Sequence, residues 1–385
     1  MAEHRRLLRW LRSREEVLTR LLGRLVRIES SSYDRNGVNR VVALLAGEWR
    51  KRGARVARVR PAGAHDRGDL LRCEVRPAPG GPPGQILVLG HMDTVYERGT
   101  LAGMPFRASR GRAFGPGVLD MKAGLVIALA AMDALRAARL APRRRVVFLW
   151  TSDEEIGSES ARAAIEREAR RSAAVLVLEP GTGPRGKLKT ARKGVGGFRL
   201  EVTGRAAHAG VNPQDGVNAV HELALQITRV AGFADPRRGI TVNADVVEGG
   251  TRTNVIAARA RADVDVRCVR AADMPRIEAR FHALRPILPG AKLRVTGGLD
   301  RPPMERRMAA HLFAQAQALG REMGLKLEES STGGGSDGNF TAALGVPTLD
   351  GLGAAGGGAH TPGEHIRTRS LPERAALLVA LLLTL

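Results

Sequence analysis

Apolar residues in the first half of the chain form short continuous runs, separated by stretches in which they recur at helical spacing. The runs 85–90, 145–150 and 174–178 are rich in aliphatic residues, as expected of parallel strands buried on both faces. Helical spacing predicts helices between them, over 125–140 and 159–171. This alternation predicts an α/β fold with a mixed, mostly parallel sheet flanked by helices.

Further elements extend the pattern towards both ends of the chain. Helices are predicted over 7–28, 38–52 and 309–323, and strands over 53–59, 70–75 and 346–350. The apolar run 375–385 is too short to cross a bilayer, which takes ~20 residues, and is predicted to be a buried final helix. The first 26 residues lack the apolar core of a signal peptide. We therefore expect a cytoplasmic protein with no membrane partner.

The pattern changes near residue 194. Alternating residues predict an antiparallel strand over 198–202, and helices and strands then follow in α+β order. These elements are helices over 216–230 and 274–288 and strands over 239–247, 254–269 and 292–296. The Pro302-Pro303 pair marks a return to the first pattern. We predict that residues 1–193 and 303–385 form one catalytic domain and that residues 194–302 are inserted in it.

The composition is strongly basic and poor in aromatic residues. The 385 residues carry a formal net charge of +22, and aromatic residues make up only 3%. The arginines are spread along the chain without interleaved aromatic residues on which bases could stack. We therefore favour a compositional bias over a nucleic-acid surface, although a positive field can attract an anionic substrate. Cys73 and Cys268 lie far apart, which fits a reducing compartment.

Histidine and acidic residues follow the predicted strands and occupy two glycine-rich loops. In parallel sheets, ligands bind outside the carboxyl ends of the strands, and several of these residues would meet there. They are His91 with Asp93, Asp120, Glu154 with Glu155, Glu179 and His360. Nitrogen and carboxylate ligands without thiolates suit Zn²⁺ and, less tightly, Mn²⁺ or Co²⁺. Two histidines and three carboxylates suit two metal ions that share a bridging carboxylate.

In two pairs within this set, we expect the two residues to have different roles. Residues 91 and 93 can face the same way on a strand, so Asp93 is placed to orient a metal-binding His91. Glu154 and Glu155 are adjacent and would crowd one centre if both were ligands. The pair is better explained if one binds metal and the other exchanges a proton with the reacting groups.

Several motifs closely resemble the co-catalytic zinc metallopeptidases of the aminoacylase and glutamate carboxypeptidase type. They are 91–95 (HMDTV), 115–124, 152–158 (SDEEIGS) and 178–181 (LEPG). The resemblance implies two Zn²⁺ ions per subunit, with Asp120 bridging them. It implies that His91 and Glu179 complete one site and Glu155 and His360 the other. By the same resemblance, Glu154 is the general base and acid, and Asp93 is the partner of His91.

The resemblance also covers the inserted domain. In the family this domain forms a lid and the interface of a homodimer, and the segment 204–210 is similar to its pattern. His208 would reach the active site of the other subunit and stabilise the oxyanion. Asn254 and Arg267 resemble the residues that hold the free carboxylate of the substrate. Gly335 and Ser336 match a glycine-rich substrate loop, although the glycine run 333–335 is longer than expected.

The resemblance, together with the candidate metal ligands, implies a hydrolase that cleaves an amide or peptide bond next to a free carboxylate. Its substrate would be a small molecule or short peptide, as for a glutamate carboxypeptidase-like exopeptidase; the alternative on the same fold is an N-acyl-amino-acid deacylase or desuccinylase.

Three other functions are weaker alternatives. A serine hydrolase would use Ser336 in the G-x-S-x-G match 334–338, with Asp350 and His360 following. A nucleotide-binding loop over 181–187 lacks the Ser/Thr, because Leu188 occupies that position. A basic nucleic-acid-binding protein without catalysis is disfavoured by the intact set of ligand candidates.

Overall fold

Eleven α-helices are found in the residues described by the computed structural model, 2–61 and 66–385. They are α1 Ala2–Arg12, α2 Glu15–Val26, α3 Arg35–Lys51, α4 Thr100–Gly103, α5 Ala123–Ala137, α6 Arg162–Ala169, α7 Ala219–Ala231, α8 Met274–His282, α9 Arg306–Glu322, α10 Asp337–Ala343 and α11 Ser370–Thr384. None of these helices is long and apolar enough to cross a bilayer.

The strands of the described residues form four sheets. They are β1 Arg55–Val59, β2 Leu70–Val75, β3 Gln85–His91, β4 Arg107–Ser109, β5 Arg112–Phe114, β6 Arg145–Thr151, β7 Ser172–Val177, β8 Leu188–Arg192, β9 Gly194–Thr203, β10 Thr241–Gly249, β11 Arg259–Cys268, β12 Lys292–Arg301, β13 Glu329–Thr332, β14 Thr348–Leu349, β15 Gly356–Gly357 and β16 His365–Arg367.

The chain divides into two compact units. The first unit comprises Met1–Ala191, Arg306–Thr332 and Ser336–Leu385, and the second comprises Arg192–Glu305 and Gly333–Gly335.

The first unit contains a six-stranded sheet of order β1-β2-β6-β3-β7-β14. Strands β6, β3, β7 and β14 run parallel, while β1 and β2 are antiparallel additions at one side. The predicted mixed, mostly parallel α/β sheet is therefore confirmed.

Strand β3 lies inside this sheet, and all seven of its residues are buried. Ile86 and Val88 belong to the core cluster that includes α5 and α11, whereas Leu87 and Leu89 belong to the opposite cluster, with α6. Each such side chain contributes about 1.5–3 kcal/mol on burial. Burial on both faces explains why this strand has no polar alternation.

The second unit is built on the antiparallel sheet β10-β11-β9-β12. Buried and more exposed residues alternate along β9, so one of its faces covers a core and the other does not. Helices α7 and α8 supply residues to that core, in which Phe198 and Phe281 stack with ring centroids 3.9 Å apart.

Several predicted elements differ from the structure. The single helix predicted over 7–28 is two helices, because Arg14 leaves the helical conformation between α1 and α2. The strand predicted over 254–269 begins only at Arg259. Strand β8 was not predicted, and β13, whose sequence is poor for a buried strand, is a half-exposed strand that pairs with it. Short polar strands such as these gain their stability from pairing and carry little periodic signal.

Candidate active site

His91 ends strand β3 and is almost completely buried. Its Nδ1 atom lies 3.0 Å from the carbonyl oxygen of Asp93 and 3.4 Å from Oδ1 of the same residue. Its Nε2 atom lies 3.2 Å from Oδ1 of Asp120 and 3.2 Å from Oε1 of Glu179. Because Asp93 engages one ring nitrogen, the other is the nitrogen that faces the two carboxylates.

Asp120 lies in the irregular turn Val118–Lys122, just before helix α5. Gly90 leaves room for the side chain of Met121, a residue of this turn, since a Cβ at residue 90 would lie 2.5 Å from its Cε atom. Oδ1 of Asp120 faces His91, while its Oδ2 lies 3.4 Å from Nε2 of His360. The two oxygens of one carboxylate therefore face two different histidines.

A second cluster is formed by Asp120, Glu155 and His360. Glu155 follows strand β6, and its Oε2 lies 3.3 Å from Nε2 of His360. His360 lies in the loop between β15 and β16, with a left-handed φ of 62° and a half-exposed side chain. In each cluster the three candidate ligand atoms lie within 4.8 Å of one another. The structure thus brings all five predicted metal ligands together.

Charges in these clusters favour cations. Hydrogen bonds to Asp120 and Glu155 raise the pKa of His360 to about 10. Burial acts to lower the pKa of His91, but hydrogen bonds to Asp120, Asp93 and Glu179 outweigh it and raise that pKa. Burial raises the pKa of Glu155, whose Oε1 is buried and has no hydrogen-bond partner among the described residues.

This donor set fits divalent metal ions. Two imidazoles and three carboxylates converge, thiolates are lacking, and the uncompensated Glu155 oxygen needs a cation or a donor. The shared Asp120 carboxylate fits a bridging role.

Asp93 does more than the sequence indicated. It is fully buried, and its Oδ2 accepts hydrogen bonds from Oγ of Ser32, at 2.7 Å, and from the backbone N–H of Glu155, at 3.2 Å. Its Oδ1 accepts the backbone N–H of Glu154 at 3.3 Å. Glu154 is half-buried in the turn Glu154–Ile156, beside Glu155. One carboxylate therefore holds both His91 and the backbone of the acidic pair.

Sequence reasoning missed Glu364. This fully buried carboxylate accepts hydrogen bonds from the N–H groups of Gly117, Leu119 and Asp120, at 3.2, 2.7 and 3.0 Å. It also accepts the Tyr96 hydroxyl at 2.6 Å. Glu364 thus holds the Asp120 turn against the loop that carries His360. Its only signal in the sequence is its position four residues after His360.

The second unit brings His208 and Asn254 together. The N–H of Ala209 donates to the carbonyl oxygen of Asn254 at 3.0 Å. The exposed His208 ring accepts the N–H groups of Gly210 and Val211 at Nδ1, at 3.2 and 3.1 Å. In the neutral ring the proton therefore lies on Nε2, which is left as a donor.

Arg267 lies on β11, where its Nε contacts both carboxylate oxygens of Asp265, at 3.0 and 2.9 Å. Its Nη1 donates to the carbonyl oxygen of Gly333 at 3.3 Å. The carbonyl oxygen of Gly335 accepts Nη1 of Arg192 at 2.7 Å. These contacts hold Arg267 within the second unit, close to the glycine run 333–335.

Ser336 caps helix α10. Its hydroxyl is completely buried, donates to Oδ2 of Asp350 at 2.7 Å and accepts the N–H of Gly338 at 3.1 Å. The His360 ring faces Asp120 and Glu155 instead. The alternative of a serine nucleophile served by His360 therefore has no support in this geometry, and a substrate role for Ser336 stays a prediction.

Comparison with known proteins gives a family match and curated relatives. The sequence profile of the peptidase family M20/M25/M40 matches residues 87–384. Carboxypeptidase G2 from Pseudomonas sp. strain RS-16 is 30% identical over 381 residues, covering 96% of this chain and 90% of that protein. Succinyl-diaminopimelate desuccinylase from Acidovorax ebreus is 30% identical over 304 residues, covering 73% and 75%.

Solved structures share the fold. The aminopeptidase PepT from Bacillus cereus superposes with a TM-score of 0.79 at 23% identity, covering 96% of this chain and 98% of that one. The M20 family metallo-carboxypeptidase Sso-CP2 from Sulfolobus solfataricus gives 0.72 at 16% identity, covering 96% and 99%.

Proposed function

This chain belongs to the peptidase family M20/M25/M40 and is a metal-dependent peptidase or amidohydrolase, and we propose that it cleaves an amide bond next to a free carboxylate. The observation that carries the proposal is the shared carboxylate of Asp120, which faces a different histidine with each oxygen. A carboxylate shared in this way is what a two-metal hydrolytic centre requires.

We assign the ligands as the two clusters suggest. His91, Asp120 and Glu179 would hold one ion, and Asp120, Glu155 and His360 the other. Zn²⁺ suits this donor set best, with Mn²⁺ or Co²⁺ as substitutes. When bound, such ions polarise the scissile carbonyl and lower the pKa of water towards ~7.

Proton transfer is assigned to Glu154. Its neighbour Glu155 faces His360, so Glu154 is the member of the acidic pair left for acid–base work. It would take the proton of the attacking water and deliver it to the leaving amine. The hydrogen bond from its N–H to the buried Asp93 fixes the backbone from which it acts.

Stabilisation of the oxyanion is assigned to His208, and binding of the substrate carboxylate is assigned to Arg267 and Asn254. His208 presents Nε2 as a donor, because its Nδ1 accepts two backbone N–H groups. Arg267 is pre-oriented by Asp265, which lowers the entropy lost when it binds a carboxylate. Gly335 and Ser336 would contribute backbone to the same substrate loop.

A homodimer would deliver His208 from one subunit to the active site of the other. Strand β10 lies at the edge of its sheet and exposes Val246 and Val247, at 45% and 55%. An exposed apolar edge strand favours pairing with a second copy. A cytoplasmic location is supported by the two cysteines, which are both free and buried.

Carboxypeptidase activity towards C-terminal glutamate is our first choice, since carboxypeptidase G2 matches over nearly the whole chain. Removal of a succinyl group is the second candidate, supported by the desuccinylase match.

The discriminating experiment measures kcat/KM for N-acyl-glutamates, dipeptides and N-succinyl amino acids. Each compound is tested as the free acid and as the amide of the carboxylate next to the scissile bond. We expect kcat/KM to be at least a hundredfold lower for the amides than for the acids. A chelator should abolish all activity. Equal kcat/KM for acid and amide would refute the requirement for a free carboxylate.

Arg267→Ala should raise KM for the acids at least tenfold with a smaller effect on kcat, because it removes a contact made before and during the reaction. The same substitution should leave KM for the amide substrates almost unchanged. Arg199→Ala is the matched control, an exposed arginine of β9 that is likewise paired with an aspartate, Asp263. An unchanged KM in Arg267→Ala would remove this assignment.

A further inference from the structure

A small basic cavity lies in the first unit at the N-terminal end of helix α11. Its volume is about 160 Å³, and residues that follow α9, the hairpin 181–187 and strand β16 complete its wall. Five of its lining residues are basic: Arg185, Lys326, Arg367, Arg369 and Arg374. The one acidic residue in its lining is Glu373. The site proposed above uses none of these residues.

Arg374 is the buried cation of this cavity. Its exposed fraction is 6%, and its Nη2 donates to the carbonyl oxygen of Gly186. Its Nη1 is also buried and has no hydrogen-bond partner in the part of the chain that the structure describes. A buried charged donor without an acceptor is strongly unfavourable. An acceptor from outside the chain would satisfy it.

Glu373, the acidic residue in the wall, makes its hydrogen bonds to other arginines than Arg374. Oε1 of Glu373 accepts Nη2 of Arg12 at 2.9 Å and Nε of Arg369 at 2.9 Å. Its charge is therefore shared between two other arginines. Burial lowers the pKa of Arg374 to about 10, although the nearby charge of Glu373 acts to raise it.

The glycine-rich hairpin 181–187 orients the guanidinium. The hairpin is followed by strand β8. Its N–H groups at Thr182, Gly186 and Lys187 pair within the hairpin at 2.8–2.9 Å, while that of Gly181 donates to the carbonyl oxygen of Ala354 at 3.0 Å. It is therefore no nucleotide-binding loop. Gly186 has a φ of +64°, and a Cβ there would lie 2.6 Å from Nη2 of Arg374. Glycine at this position allows its carbonyl group to hold one nitrogen of Arg374 while the other stays unpaired.

We propose that this cavity binds a small tetrahedral oxyanion, either inorganic phosphate or the phosphate group of a small monoester. Arg374 would bind it at the base, and the four exposed basic residues would surround it. The N-terminal end of α11, which has no side-chain cap, adds a favourable dipole. The small volume of the cavity, about 160 Å³, favours a compact anion.

The test uses the full-length, metal-loaded enzyme and follows thermal unfolding. Potassium phosphate is titrated against potassium chloride at matched ionic strength, and glycerol phosphate serves as the monoester. We expect a saturable rise in Tm with phosphate beyond that with chloride. A rise with glycerol phosphate alone would assign the site to monoesters. No rise with either compound would overturn the proposal.

Variants separate this cavity from the metal centre, where phosphate could also bind. Arg374→Met should abolish the phosphate-dependent rise in Tm. The exposed pair Arg185→Gln with Lys326→Gln should weaken phosphate binding at least tenfold, and it costs the fold only two exposed ion pairs with Glu328, at 3.3 and 3.9 Å. Arg170→Gln, an exposed arginine outside the cavity, is the matched control. Inhibition of hydrolysis by phosphate should stay unchanged in all of them. If the exposed double variant bound phosphate as the unmodified protein does, the assignment would be wrong.

Discussion

At the scale of single residues, the buried carboxylates divide between those that face the proposed metal positions and those that hold other residues in place. Asp93 links the end of β3 to the turn after β6, because it contacts His91 and the backbone of both Glu154 and Glu155. Glu364 holds the Asp120 turn in place by accepting a hydrogen bond from its backbone. Such supporting contacts typically change metal affinity or activity 10–100-fold when they are removed.

Glu154→Gln tests the proton transfer. The amide keeps the size of the side chain but cannot take a proton, so kcat should fall about 10²–10⁴-fold while both metal ions remain bound. Steady-state kinetics and elemental analysis of the purified variant measure the two quantities. Glu159→Gln, an exposed neighbour, is the control. Near-normal turnover by Glu154→Gln would move the general base elsewhere.

Glu364→Gln tests the support of Asp120. An amide has one acceptor oxygen, and its NH₂ group would face backbone N–H groups, so we expect a stability loss of about 1–3 kcal/mol. Metal affinity should fall about 10–100-fold, as measured by competition with a chelator. Tyr96→Phe removes a single donor and should have a smaller effect. Unchanged metal affinity in Glu364→Gln would show that the Asp120 turn holds its position without this contact.

Most of the candidate ligands predicted from the sequence follow buried strands, and the other two, Asp120 and His360, lie in glycine-rich loops. His91, Glu155 and Glu179 were found because strand ends in a parallel sheet meet at one edge. Glu364 and the buried Lys122, whose Nζ donates to the carbonyl oxygen of Ile28 at 2.7 Å, were not found. Their partners are backbone groups distant in the chain, and a contact of that kind leaves no pattern in the sequence.

At the scale of elements, helix α3 is tied to helix α5 by a partly buried arginine. Arg52 donates to Oε2 of Glu48 at 2.9 Å and to Oδ2 of Asp133 at 2.6 Å. It also donates to the carbonyl oxygen of Leu129 at 3.2 Å. Burial acts to raise the pKa of Glu48, but hydrogen bonds from Arg52 and Lys51 outweigh it and lower that pKa.

Glu48→Gln should therefore destabilise the protein by about 1–3 kcal/mol at neutral pH. A lowered pKa in the folded state means that the carboxylate contributes its stability above the unfolded value near 4.5, and that this stability is lost as the pH falls. The difference between the two proteins should therefore shrink below pH 4.5, as measured by urea unfolding from pH 2.5 to 7. Glu16→Gln, in an exposed pair with Arg20, should change stability by less than about 0.5 kcal/mol. A difference that stayed constant with pH would contradict the ionic explanation.

Elements were predictable where burial dictated their residues. Strands β3 and β6 have cores on both faces and read as continuous apolar runs, whereas β8 and β13 are polar and short. The division at Arg14 between α1 and α2 was missed for a related reason. Leu11 and Leu18 are both buried, so helical spacing of apolar residues continues across the division.

At the scale of the whole molecule, a monomer-forming substitution tests how the proposed active site is completed. Val247→Glu places a charge on the exposed edge strand β10 and should give monomers by light scattering. Activity should fall with it, because His208 would no longer reach the other subunit, while metal content stays normal. Val17→Glu, an equally simple change at a 44% exposed valine of α2, is the control. A fully active monomer would refute the role of His208 across an interface.

The exposure of His360 makes the two proposed metal positions unequal. The His91 ring is buried at the end of a central strand, whereas the His360 ring is 49% exposed. His360 lies in a loop and has a left-handed backbone conformation. Local opening of that loop would release one ligand without disturbing the sheet. Loss of metal should therefore be stepwise, with the His360 position emptied first. A mononuclear form of the enzyme would then be a distinct state that accumulates when metal is scarce.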